Sequence, residues 1–307
     1  MMKNFRYFLL LVCLGCSSAH PLNGTNVGIT ATITAIGPLH RFHDATAMSV
    51  DQFRNAYVVE SSNNSVIKIS PNGDSLRSLS GSGDDHYQFN GPSGIDAHLT
   101  NAIFISDRYN HRIEQYNKDF TYTGTLYTRE YLDKSTRFGY PAAVAVDDAG
   151  NIYVADGENK RVVKARSDYS IERTIGGFSD ATRPDAILSN PVGLAIDKEQ
   201  HLIVLDNGGM SLVEYDNLGN FLVRTQLGEK ACYICSYDDE IYALIPDRSI
   251  VRMFHSVTLS EEPSLEIRKR IDSTDTFSLV AFLVGDGGAF VLTRQALYET
   301  AWGSPGF

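Results

Sequence analysis

The sequence predicts an all-β fold, a six-bladed β-propeller whose four-stranded antiparallel blades form a ring closed by an N-terminal strand. Three observations predict this fold: a repeat with a period of about 50 residues, four short strand-like segments in each repeat, and six copies along the chain. The length agrees with it, because 307 residues suffice for six blades and an N-terminal leader.

The repeat is clearest in the middle of the chain. Three prolines recur there at separations of 49 and 50 residues: Pro92, Pro141 and Pro191. Three aspartates recur with the same two separations: Asp107, Asp156 and Asp206. A fixed period in this range, with short β segments in each unit, is typical of propellers and solenoids.

Within each repeat, short apolar segments alternate with turn residues. The unit begins with a small-residue strand such as GIDA, AVAV or GLAI and continues, after a turn, with AIFIS, NIYVA or LIVLD. A polar turn with Asp and Asn or Gly leads into a third strand, and a fourth such as GNFLVRTQL completes the unit. Four short strands in about 45 residues predict one propeller blade.

Weaker copies of the unit flank the three clear ones. Residues 43–79 contain every element, with Glu60 in place of the turn aspartate, and residues 231–254 and 278–299 are degraded copies. The last copy has no fourth strand of its own. Residues 28–36, which alternate strictly between apolar and polar, are expected to supply the outermost strand of that last blade. Such closure removes exposed strand edges, which otherwise invite aggregation.

Residues 1–19 have the pattern of a secretory signal peptide, with Lys3 and Arg6 before a short apolar stretch. The run Leu14-Gly15-Cys16 resembles a bacterial lipoprotein signal, which predicts cleavage before Cys16 and lipidation of its thiol. Ordinary cleavage after Ala19 is the alternative. Residues 20–307 then form a single propeller domain. Either cleavage predicts an extracytoplasmic protein, in the periplasm or anchored to the outer membrane.

Charge and cysteine content exclude other function classes. The formal net charge of −10 disfavours a nucleic-acid partner, because clustered Lys and Arg drive that binding.

Cys232 and Cys235 form a CxxC pair, but the residues on either side alternate like a strand and do not begin a helix. Side chains three residues apart in a regular strand point to opposite faces, so a redox pair is not expected. We expect two packed thiols or a strained local bridge.

The tripeptide Asn110-His111-Arg112 and its variant Asn159-Lys160-Arg161 follow Asn-Ile-Tyr-Val-Ala-Asp-like strands, and together these motifs resemble the NHL repeat. The resemblance extends over about residues 28–300 and is specific in three blades. It implies a six-bladed propeller that acts as a binding platform.

The turn acids are the first candidates for a site. Asp in such a turn accepts backbone N–H groups and pairs with a nearby Asn, so recurrence in successive blades favours a structural role. Glu60 departs from that pattern and has the stronger functional prospect. The full set of ligand-binding candidates is Glu60, Tyr87, Asp107, Arg108, Asp156, Arg183 and Asp206.

The predicted function is binding of an envelope or extracellular protein, peptide or glycan through loops on one face, with no cofactor and no nucleic acid. Aromatic residues in three long interblade loops are the expected anchors: Tyr87, Phe89, Tyr131, Phe138 and Phe178. The alternative is a metal-dependent, lactonase-like hydrolase with zinc or calcium at the channel mouth. Four histidines are expected near that mouth: His40, His43, His86 and His111.

Overall fold

A computed structural model describes residues 29–35, 38–178, 183–269, 278–285 and 288–300. Within these residues, six sheets follow one another along the chain, each with four strands paired antiparallel, which confirms the predicted all-β propeller. The predicted leader, residues 1–19 with Cys16, lies outside the described residues. Each of the described helices is a 3-10 turn of three residues, so none has the length of a membrane-spanning helix.

The first four blades are continuous four-stranded units. Blade one contains β3 (Ala45–Val50), β4 (Ala56–Glu60), β5 (Ser65–Ile69) and β6 (Ser75–Ser80). Blade two contains β7 (Pro92–Asp96), β8 (Ile103–Asp107), β9 (Arg112–Tyr116) and β10 (Tyr122–Tyr127). Blade three contains β11 (Pro141–Val146), β12 (Ile152–Asp156), β13 (Arg161–Ala165) and β14 (Ile171–Ile175). Blade four contains β15 (Pro191–Ile196), β16 (Leu202–Asp206), β17 (Ser211–Tyr215) and β18 (Phe221–Gln226).

The last two blades take strands from the N-terminal part of the chain. Blade five contains β19 (Tyr233–Tyr237), β20 (Glu240–Ile245), β21 (Ile250–His255), β22 (Glu261–Lys269) and, outside them, β1 (Ile29–Ala35). Blade six contains β23 (Leu279–Gly285), β24 (Gly288–Thr293), β25 (Ala296–Thr300) and, outside them, β2 (His40–Arg41). The 3-10 turns are Ser61–Asn63, Lys134–Thr136, Pro184–Ala186 and Pro246–Arg248.

Closure by an N-terminal strand is confirmed, but a different segment completes the last blade. The outer strand of blade six is β2, which pairs antiparallel with β25. The segment predicted for that place, residues 28–36, instead forms β1 and pairs in parallel with β22 of blade five. Alternation predicted that this segment is a strand, yet it did not identify the partner strand, because either free edge could accept it.

The six first strands surround the central axis. Each contacts the first strand of the next blade, in the closed order β3, β7, β11, β15, β19, β23 and back to β3. Second strands such as β8 and β12 are buried along their whole length, whereas β6 is exposed at all but one residue. Apolar clusters fill the space between neighbouring blades, and the cluster between blades one and two contains Tyr57 and Ile105.

Two faces of the disc follow from this topology. We call the face with the turns between second and third strands the acid-turn face, because Glu60, Asp107, Asp156 and Asp206 end second strands there. The loops that join successive blades open on the same face. We call the opposite face, with the turns between first and second strands, the channel face.

Candidate functional site

The predicted turn acids are enclosed by their own blades. Asp107 is fully buried, and its Oδ1 accepts a hydrogen bond from the backbone N–H of Asn90 at 2.8 Å. Its Oδ2 accepts from Asn110 Nδ2 at 2.7 Å and from Arg112 Nε at 2.9 Å. Burial raises the pKa of Asp107, and these donors act against that rise. The predicted pairing of a turn Asp with an Asn three residues later is confirmed.

The other turn acids are held in the same manner. Asp156 accepts from the backbone N–H of Gly139 at 3.1 Å, from Asn159 Nδ2 at 2.7 Å and from Arg161 Nε at 3.1 Å. Glu60 accepts from the backbone N–H of His43 at 2.7 Å, so its longer side chain fills the same role. Asp206 also caps a turn, accepting from the N–H of Asn190 at 2.6 Å and from Arg224 at 3.1 Å.

The remaining predicted site residues lie apart from one another. Tyr87 packs on Tyr116 at a ring distance of 5.9 Å, and its hydroxyl accepts from the N–H of Tyr122 in the outermost strand of blade two. Arg108 is half-buried in the acid-turn loop of that blade. Arg183 is exposed, 3.2 Å from an Asp185 carboxylate oxygen and over the Phe221 ring. These side chains do not form one constellation.

Exposed aromatic side chains do meet on the acid-turn face, between blades two and three. The Tyr109 and Tyr140 rings are 6.2 Å apart, edge to face, and 55% and 39% exposed. The His111 ring lies 4.5 Å from that of Tyr140, and its Nδ1 accepts from the Tyr140 N–H and from Arg129. Burial and the Arg129 charge lower the pKa of His111, which favours this neutral acceptor.

Glycine at position 91 permits this arrangement. Gly91 has φ of +62°, and a Cβ there would lie 2.6 Å from the ring of Tyr109. Any other residue would therefore strain the backbone and displace the tyrosine.

A second feature of the same face is a cleft of about 340 Å³ between blades three and four. Its lining includes Lys160, Ile187 and Phe178, whose side chain is 87% exposed.

Two of the aromatic residues predicted as ligand anchors, Phe89 and Phe138, are fully buried, so they pack between blades and are not available for ligand contact. Phe178 and Tyr87 remain exposed.

Sequence reasoning did not single out Tyr109 or Tyr140 as contact residues. A signal was present, because Tyr140 directly precedes a blade proline and Tyr109 lies two residues after a turn acid. These positions are at the tips of turns that the buried acids hold rigid. The aromatic side chains at these tips therefore stay partly exposed to solvent.

A cavity of about 360 Å³ lies on the central axis, on the channel face rather than the acid-turn face. Its polar lining is mainly acidic, with Asp96, Asp148 and Asp238 beside His98 and Lys198. Burial acts to lower the pKa of His98, but the Asp96 carboxylate at 2.7 Å raises it above the ordinary value.

The four predicted histidines do not converge in the described part of the chain. His86 stacks on Tyr122 at 3.8 Å, His111 packs on Tyr140, and His40 contacts the carbonyl of Gly73 at 3.0 Å. The group of His and carboxylate side chains close enough to share a metal lies instead in blade four: Asp197, His201 and Glu214.

The CxxC pair is unbridged, as the strand pattern indicated. The thiol of Cys235 donates to the carbonyl of Phe282 at 3.1 Å, and that of Cys232 donates to Val280 at 3.3 Å, both on β23 of the next blade. Burial raises the pKa of Cys235 to about 12, so this thiol is protonated and unreactive at neutral pH.

Comparison with known proteins agrees with the fold. The NHL repeat family matches residues 138–165. Protein brain tumor of Drosophila melanogaster is 27% identical over 137 residues, which are 44% of this chain and 12% of that protein. The match thus spans only a small part of that relative.

Two solved structures are similar in fold. Virginiamycin B lyase from Staphylococcus aureus is 13% identical, with 83% of this chain and 79% of that chain covered and a TM-score of 0.60. A chain of the nidogen/laminin complex is 18% identical, with 73% and 81% covered and a TM-score of 0.59. Such low identities establish shared architecture alone. With its six sheets closed in a ring, this chain is a six-bladed β-propeller, and residues 138–165 within it match the NHL repeat.

Proposed function

We propose that this propeller is a binding module that holds a protein or peptide ligand on the acid-turn face of blades two to four. The observation that carries the proposal is the exposed pair Tyr109 and Tyr140 on rigid turns of that face. The match of residues 138–165 to the NHL repeat, a resemblance that implies a binding platform, supports the same function.

The chemistry of the pair suits a peptide. Tyrosine offers a large apolar ring and a hydroxyl while losing little conformational entropy, which is why it is common in contact surfaces. Arg129 and Glu158 pair at 2.8 Å beside the rings and provide charged groups of both signs. A peptide backbone presents matching donors and acceptors, so side-chain packing and hydrogen bonding can act together.

The adjoining cleft extends this surface toward blade four. Phe178 and the half-buried Ile187 provide apolar contact, and Lys160 provides a positive charge at its edge. By contrast, the exposed apolar residues in the channel-face turns stand singly, one in each of three blades: Phe53, Leu218 and Val257. Single exposed apolar residues are ordinary on protein surfaces, whereas grouped ones indicate contact sites.

A peptide selected from a displayed library against the purified chain tests this function. Changing Tyr109→Ala together with Tyr140→Ala should weaken binding of that peptide about 100-fold, because two central aromatic contacts of about 1.4 kcal/mol each are removed. Fluorescence polarisation measures the Kd.

The matched control is Phe53→Ala, which removes a 65% exposed ring from the channel face. It should leave the Kd unchanged. If Phe53→Ala abolishes binding and the double variant does not, the ligand site is on the other face. If the chain binds a glycan on an array and the double variant does not, the proposed site would be right but its ligand would be a glycan and not a peptide.

We also propose that the chain binds its ligand outside the cytoplasm, where a lipid on Cys16 attaches the chain to the membrane of the cell envelope. Expression of Cys16→Ala in a bacterial host supplied with labelled palmitate should abolish the label, because the lipidated thiol is absent. A label that persists would contradict the lipoprotein signal and favour cleavage after Ala19.

A further inference from the structure

Blade four groups three side chains of metal-ligating types on its channel face. Asp197 and His201 belong to the turn between β15 and β16, and Glu214 lies on β17. His201 Nδ1 is 2.7 Å from Glu214 Oε1 and 3.8 Å from Asp197 Oδ2. Ligand atoms around one tetrahedral ion with bonds of about 2.0–2.1 Å are about 3.3 Å apart, close to these spacings.

Two buried oxygens of this group have no hydrogen-bond partner in the described part of the chain. Asp197 is 2% exposed and Glu214 is fully buried, and Asp197 Oδ2 and Glu214 Oε2 accept no hydrogen bond from any described residue. Asp197 Oδ1, in contrast, accepts from the backbone N–H of His201 at 2.8 Å. Burial raises the pKa of both carboxyl groups. Unpartnered buried carboxylate oxygens are costly, and a bound proton or a bound cation lowers that cost.

In blade three, the oxygen of the corresponding aspartate accepts hydrogen bonds from neighbouring side chains. Asp147 Oδ2 accepts from Asn151 Nδ2 at 2.8 Å and from the Tyr153 hydroxyl at 3.3 Å. Lys164, opposite Tyr153 on the next strand, places its ammonium 5.4 Å from the centre of that ring. Blade one repeats all four residues with the same hydrogen bonds: Asp51, Asn55, Tyr57 and Lys68.

Blade four keeps the aspartate and exchanges the other three residues. His201 replaces the asparagine, Ile203 the tyrosine, and Glu214 the lysine that pairs with it across the strands. The position therefore loses the amide and hydroxyl donors, and a carboxylate takes the place of an ammonium. Glu214 thus places a second buried carboxyl group near Asp197, and a cation bound between them would offset the charge of both.

We propose that Asp197, His201 and Glu214 bind one divalent transition-metal ion, with Zn²⁺ the preferred ion. An imidazole nitrogen with two carboxylate oxygens is a ligand set that zinc accepts, whereas calcium takes oxygen ligands only. The ion would join the β15–β16 turn to β17, in place of the hydrogen bonds that Asn151 and Tyr153 give to the turn aspartate of blade three. His201 is 24% exposed, which gives the ion a path from solvent.

The test uses the full chain, stripped with chelator, dialysed and titrated with ZnCl2 by calorimetry, with the Tm recorded at each zinc concentration. The wild type should bind one equivalent that raises its Tm. His201→Gln should weaken that binding about 100-fold or more and remove the Tm response, because a direct ligand is lost.

Two further variants sharpen the result. The combined change His201→Asn, Ile203→Tyr and Glu214→Lys installs the blade-three set and should give a folded chain without this zinc site. His98→Gln, which removes the histidine paired with Asp96 on the same face, should bind zinc like the wild type. If the combined variant does not fold, His201→Gln decides alone.

Absence of saturable zinc binding by the wild type would overturn the proposal, and would identify the group as a metal-free pair of His201 and Glu214. Equal zinc binding by the wild type and His201→Gln would overturn it as well, because the ion would then be held elsewhere.

Discussion

A chain that begins at residue 43 should be largely unfolded, whereas one that begins at residue 38 should remain folded. The shorter chain lacks β2 and with it the hydrogen bonds from Leu39 and Phe42 N–H to the carbonyls of Leu297 and Gln295, each 2.8 Å. Leu39 and Phe42 also pack on the cluster between blades six and one. Together these losses amount to about 4–6 kcal/mol, comparable to the whole stability of many domains.

The chain that begins at residue 38 is the matched control. It lacks β1 and so loses the pairing with β22, but blade six keeps its outer strand. Circular dichroism should show a moderate fall in Tm for this chain and no cooperative transition for the shorter one. Equal Tm values for both truncated chains would contradict closure by β2.

Asp156→Ala should lower the free energy of unfolding by about 3 kcal/mol. The change leaves the Arg161 guanidinium, whose side chain is only 10% exposed, without its carboxylate. It also removes the acceptor for Asn159 and for the backbone of Gly139. Breaking a buried ion pair by removing one partner costs about 3–5 kcal/mol, and the slight exposure of Arg161 favours the lower value.

Urea denaturation measures this effect. Asp168→Ala is the control, because that carboxylate is exposed and caps only its own turn through Ser170. It should change the free energy of unfolding far less than Asp156→Ala does. A fully stable Asp156→Ala chain that no longer binds the selected peptide would make Asp156 a contact residue and not a turn cap.

Periodicity accounts for how much of the fold could be predicted. The spacing of Pro92, Pro141 and Pro191 identified the unit, and alternation within it identified four strands, because side-chain period and burial are linked in a sheet. The closing strand was assigned to the wrong segment. Residues 28–36 alternate over nine positions, while β2 has two residues and no pattern of its own. Contacts with blade six position β2, and such contacts are invisible in a single sequence.

The candidate sites divide in a similar way. The capping role of Asp107 and Asp156 was predictable, since each recurs with an Asn three residues later. The Tyr109–Tyr140 pair was not, because contact between two loop tips depends on how neighbouring blades pack. The blade-four exchange could have been found by comparing repeats position by position, since His201 and Glu214 depart from blades one and three at aligned places.

Hydrogen exchange of the chain with and without the selected peptide tests the binding face most directly. We predict that the peptide slows exchange in residues 107–112, 139–141 and 156–161, the acid-turn loops around Tyr109 and Tyr140. The channel-face turns at residues 51–55, 147–151 and 197–201 should exchange as they do in the free chain. Protection confined to those channel-face turns would contradict the proposed binding surface.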